Sequence, residues 1–185
     1  MTLREWFQPV GMVVAVVAVV GVAVGFGSAA ALAPPAASPG TSSPAIPTHY
    51  VNLTIVINTT NGAPQFVPAN VTVPAGRVVF RIVDHDSPSA WAGCGCVVSG
   101  TIGSVEWING TAYHVVPNRN VAHTFTDPRL NLNVLSPGDS TVTFSTIVAP
   151  GTYPWWCMAP CGSDGMMGFP MDVPGYMAGT ITVTA

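Results

Sequence analysis

Residues 141–157 read Thr-Val-Thr-Phe-Ser-Thr-Ile-Val-Ala-Pro-Gly-Thr-Tyr-Pro-Trp-Trp-Cys. Thr141 to Val148 is rich in β-branched and aromatic residues, Pro150-Gly151 is turn chemistry, and the run through Trp156 delivers Cys157 to a loop. Trp155 and Trp156 alternate across that second strand, so one of them belongs to the core. The same punctuation recurs outward in both directions. Val51 to Asn58, Val78 to Asp84 and Gly179 to Thr184 are further β-rich runs, with turns at Pro74-Ala75-Gly76 and Pro137-Gly138. No helical period of useful length follows residue 33, so the pattern predicts an all-β sandwich or barrel.

The N-terminus differs. Val10 to Ala33 is 24 residues without a charge, and as a helix it spans ~36 Å, enough to cross a bilayer core. A cleaved signal peptide is the competing reading, with Ala31-Leu32-Ala33 as its cleavage site. Pro34 and Pro35 and the length of the run favour an uncleaved anchor. Arg4 is the flanking base that sets the N-terminus inside and the rest outside. The chain thus divides into an anchor contacting membrane lipid (residues 1–33), a Pro/Ser/Ala-rich tether (34–49) and one domain (50–185) on the extracytoplasmic side.

Charged residues are 7% of the chain, with no lysine, against about 25% in ordinary soluble domains. Such a surface suits acidic surroundings and leads us to expect an acidophile host. Asn-x-Ser/Thr sequons stand at Asn52, Asn58, Asn70 and Asn109 as candidate glycosylation sites, or as chance in a Thr-rich chain. A net charge of -3 offers no basic face for nucleic acid. Gly-x-Ser-x-Gly elbows, zinc-protease His pairs and Gly-rich phosphate loops do not occur.

The four cysteines form two close pairs, Cys94-Gly-Cys96 and Cys157-Met-Ala-Pro-Cys161. Partners one residue apart would close a strained ring, so Cys94 and Cys96 are not expected to bond to each other. His123 lies upstream of the second pair, and five of the seven methionines lie between residues 158 and 177. Thiolate, imidazole and thioether together select copper over hard metals, whereas zinc sites do not explain the methionines. The competing reading of Cys157 and Cys161 is a structural disulfide.

At these residues the chain resembles the cupredoxins, and among them the copper-bearing domain of subunit II of haem-copper oxidases. The resemblance is carried by His123-Thr-Phe, Leu130 to Gly138, Ala149-Pro-Gly-Thr-Tyr153, Cys157-x-x-x-Cys161-Gly162 and Met177 to Val183, with Phe66 to Gly76 upstream. It implies a Greek-key β-sandwich in which two thiolates bridge two coppers, two histidines cap them, and a methionine and a backbone carbonyl complete the site. His123, Cys157, Cys161 and Met177 match that pattern. It also implies an electron-transfer role with no catalysis by this chain, a redox protein as donor and an oxidase catalytic subunit as acceptor.

Two departures stand out. Gly165 occupies the second histidine's position, and residues 89–119 form an insertion containing Cys94 and Cys96. His85 or His114 could supply the missing imidazole, or Met166, Met167 or Met171 could substitute. Alternatively one copper sits on His123, Cys157 and Met177, as in sulfocyanin-like blue copper carriers, with Cys161 in a disulfide to Cys94 or Cys96. The plainer readings are methionines as adaptable core filler and His85, between Asp84 and Asp86, as a surface histidine. A metal-free, disulfide-linked surface domain or oxidase subunit is the reading from another class.

Overall fold

The computed structural model describes residues 45–89, 91, 94–161 and 168–185. The Val10 to Ala33 run and residues 34–44 of the tether lie outside them, and among the described residues no helix is long and apolar enough to cross a membrane. The domain is an all-β sandwich of two sheets. One contains, in spatial order, β2 (Pro64–Val67), β1 (Thr48–Ile57), β4 (Gly76–Asp84), β9 (Ser140–Val148), β5 (Glu106–Ile108) and β6 (Thr111–Tyr113). The other orders β3 (Asn70–Pro74), β11 (Ala178–Thr184), β10 (Gly151–Trp156), β7 (Val121–Asp127) and β8 (Leu132–Pro137). β1 starts at Thr48, slightly earlier than the expected domain start.

The chain passes repeatedly between layers, so each sheet holds strands distant in sequence. β1 pairs with β4 and β3 with β11 in parallel, and the remaining ladders are antiparallel. The turns at Pro74 to Gly76, Pro137-Gly138 and Pro150-Gly151 fall between strands as predicted. β9 explains why its sequence makes a strand: Val142, Phe144, Thr146 and Val148 alternate inward and Thr141, Thr143 and Ser145 outward. Phe80 and Phe144 from one sheet stack at 5.0 Å between centroids, and Phe125 from the other lies 5.6 Å from Phe80 and 4.6 Å from Trp155. Trp155 is the core tryptophan of its pair; Trp156 is half-buried.

The insertion at residues 89–119 has a structural task. Its hairpin β5–β6 turns at Asn109-Gly110, both at positive φ, and extends the larger sheet through β9. Ser99 bridges to Asn133 on the outer edge of β8. An otherwise open strand edge is thereby covered. Cys94 and Cys96 correct our expectation: they are bonded to each other across Gly95, with Cα atoms 5.0 Å apart. That spacing suits a disulfide, and Cys96 reaches it by taking φ 40°.

Candidate metal centre

The centre lies at one end of the aromatic core. β7 buries nearly every side chain and contributes His123, which is 2% exposed. Phe125, two residues on, shares its face and enters the core, so core packing sets the strand that carries the histidine. β10 similarly buries Trp155 and then runs into Cys157. The Cys157 N–H donates to the Met177 carbonyl at 2.8 Å, extending the β10–β11 ladder to the residue before β11. Loop 157–161 folds over the end of β7, pinned where the Met158 N–H donates to Thr124 Oγ1 at 2.7 Å.

His123 Nδ1, Cys157 Sγ and Cys161 Sγ all lie within 4.8 Å of one another, and all three residues are buried. The sulfurs are 3.0 Å apart, and Nδ1 is 3.1 Å from Cys161 Sγ. Thr124 N–H points at Cys157 Sγ from 3.3 Å, and the Ala159 carbonyl lies 3.1 Å from Cys161 Sγ and 3.6 Å from Cys157 Sγ. Neither cysteine is in a disulfide. Pairing of Cys161 with Cys94 or Cys96 is therefore absent, because the latter two hold each other.

Electrostatics separate the two thiols. Burial opposes charge on Cys157, but Cys161, His123 and the Thr124 N–H outweigh it and hold the Cys157 thiol below its ordinary value. Cys161 is raised, first by Cys157 and then by burial. For His123 burial disfavours the cation, yet the Asp86 carboxylate and the neighbouring thiolate raise it. The buried thiolate and the imidazolium beside it become a soft donor pair when a metal displaces a ring proton.

Met177 is fully buried and adjoins Cys157 through its backbone carbonyl, and the Ala159 carbonyl faces both sulfurs; His123, Cys157 and Cys161 fit a copper ion in type and arrangement, and Met177 in type. His85 and His114 are not brought to the cluster. His85, the residue after β4, is exposed to solvent, and the exposed His114 ring sits 2.7 Å from the Ser104 carbonyl. Met171, on a short helix (α1, Phe169–Asp172), packs against the core. Met166, Met167 and Gly165 lie outside the described residues. Asn52, Asn70 and Asn109 are exposed, while Asn58 is half-buried and donates to Gln65 Oε1 at 3.1 Å.

Sequence reasoning missed Asp86. Its Oδ2 lies 2.9 Å from His123 Nε2. Asp86 lies two residues past the end of β4, in a turn where its N–H donates to Asp84 Oδ1, so strand periodicity did not show that it faces His123. A cleft of about 390 Å³, lined among others by Asp86, Ala122, His123, Cys161, Phe169 and Pro170, brings solvent to this side of the centre.

No family model matches the chain, and no curated protein matches it. Among solved structures, auracyanin B is similar at 19% identity over 74% of this chain and 89% of that one, with a TM-score of 0.35. Auracyanin A, a "blue" copper protein from Chloroflexus aurantiacus, is similar at 15% identity over 75% and 100%, TM-score 0.35. Amicyanin from Paracoccus versutus is similar at 10% identity over 73% and 81%, TM-score 0.30.

Proposed function

We propose that the domain is a copper-binding electron carrier tethered outside a membrane, with His123, Cys157 and Cys161 as ligands and Met177 completing the set. The observation that carries this reading is the convergence of one imidazole nitrogen and two free thiol sulfurs within 4.8 Å in a buried pocket. Bound copper would supply one-electron exchange between Cu(I) and Cu(II). The chain's own part is to fix the ligands on three strand ends, shield the sulfurs from water and hold the second ring nitrogen of His123. No bond-making step is assigned to it.

The resemblance to oxidase subunit II supports a redox protein as donor and a haem-copper oxidase subunit as acceptor, with residues 1–33 as anchor. A single copper, as a free-standing carrier would hold, is supported by a specific observation: among the described residues only one histidine reaches the cluster, which bears on the copper count and not on the partner. Electron-spin and absorption spectra of the copper-loaded protein separate a mixed-valence pair from a single copper. Metal analysis of the purified chain should give one or two coppers, and none for Cys157→Ser. Absence of copper from the wild type, or a second disulfide in place of free thiols at Cys157 and Cys161, would end the proposal.

A further inference from the structure

We infer that Asp86 is the positioning residue of the centre, holding the His123 ring so that Nδ1 faces the two sulfurs. The inference rests on the copper reading above. The ring is gripped at both nitrogens, by Asp86 Oδ2 at 2.9 Å on one side and Cys161 Sγ at 3.1 Å on the other. Turning it over would break both contacts. With the proton kept on Nε2 by the carboxylate, the Nδ1 lone pair is left for a metal.

Asp86 is itself held from several directions. Its Oδ1 accepts from the Ser87 N–H at 2.7 Å, its own N–H donates to Asp84 Oδ1 at 2.9 Å, and its carbonyl accepts from the Asp139 N–H at 2.8 Å. Asp84 Oδ2 in turn accepts from Ser136 Oγ at 2.7 Å, and Ser136 is the residue opposite His123 in the β7–β8 ladder. The circuit His123, Asp86, Asp84, Ser136 therefore closes on itself and ties β4 of one sheet to β7 and β8 of the other. Gly138 completes the mount. A Cβ there would run into the backbone of Ser87 and Pro88, so the turn carrying Asp86 rests directly on this glycine.

The test uses the full chain with Asp86→Ala and Asp86→Asn. In the metal-free wild type, nitrogen-resolved NMR should show a slowly exchanging His123 Nε2–H. Asp86→Ala should lose that signal and bind copper 10- to 100-fold more weakly. Asp86→Asn retains an acceptor oxygen and should keep the signal and most of the affinity, which loss of bulk structure would not allow. Unchanged copper affinity in Asp86→Ala overturns this inference alone, and a wild type that binds no copper overturns the copper reading and this inference with it. Should Asp86→Ala fail to fold, the wild-type spectrum still decides, because a rapidly exchanging Nε2–H there overturns the grip by Asp86.

Discussion

Glu106 has no exposed surface, accepts one hydrogen bond, from the Leu135 N–H at 2.9 Å, and leaves its other carboxylate oxygen without a partner. Burial pushes it up to about 8, and burial likewise pushes Asp84 up to about 6. Both groups bind their proton more tightly folded than unfolded. Their contribution is therefore complete below the unfolded values, 4.5 and 3.8, and is lost as pH rises to about 8 and about 6 respectively. Each contributes a slope of about 1.4 kcal/mol per pH unit inside its window. Metal-free His123, also raised, acts in the same direction above its ordinary value. Asp86, lowered by its hydrogen bond to His123, acts oppositely, and only as pH falls below its ordinary range. The lowered Cys157 thiol opposes this fall across the same range, so the test is a difference: the urea midpoint of metal-free Glu106→Gln should fall less from pH 5 to pH 8 than that of the wild type. An unchanged slope in the variant would contradict the burial argument. Glu106 was not legible from sequence as a buried acid, since nothing in Val-Glu-Trp-Ile marks which side of a short strand faces inward; Cys157 and Cys161 were legible as closely spaced soft donors, and His123 through the resemblance that pairs it with them.

At the level of elements, β11 approaches its neighbours so closely at Gly179 that an added Cβ would collide with the Ala69 carbonyl and the Trp155 ring. The same Ala69 carbonyl accepts from the Thr180 N–H and from Trp155 Nε1–H. Gly179→Ala should therefore force β11 away from both and cost about 1 to 3 kcal/mol, read as a lower urea midpoint with an unchanged m-value. Because β11 begins beside Met177 and Cys157, the same variant should weaken copper binding without touching a ligand. The long strands were readable from sequence by their β-branched runs and Pro-Gly turns. The three-residue strands β5 and β6 were not, although Asn109-Gly110 is a hairpin signal, because Glu106 to Ile108 and Thr111 to Tyr113 are too short to show a period and become strands by pairing with β9 and each other.

For the whole molecule, the candidate ligands come from β7, from the loop after β10 and from the residue before β11, so a metal there joins segments that separate on unfolding. Copper at a free concentration of 100 Kd should stabilise the domain by about 2.7 kcal/mol, measurable as a rise in Tm that a chelator reverses. Equal Tm values with and without copper would argue against a preformed site. Residues 45–185 contain both sheets and the aromatic core, so a fragment with these limits should fold and bind copper as the full chain does, checked by circular dichroism and metal titration. By itself the sequence determined the all-β class and its main turns, because residue type and local spacing are enough for those, and it offered residues 123, 157 and 161 as a candidate donor set through residue type and resemblance. Tertiary structure alone decided that Asp86 holds His123, that His85 and His114 stand apart, that Cys94 bonds to Cys96, and that the insertion covers the β8 edge. The cysteine bond depends on the local turn that gives Cys96 φ 40°; the others depend on which strands lie side by side, and in a sandwich whose chain crosses between layers, neighbours in space are far apart in sequence.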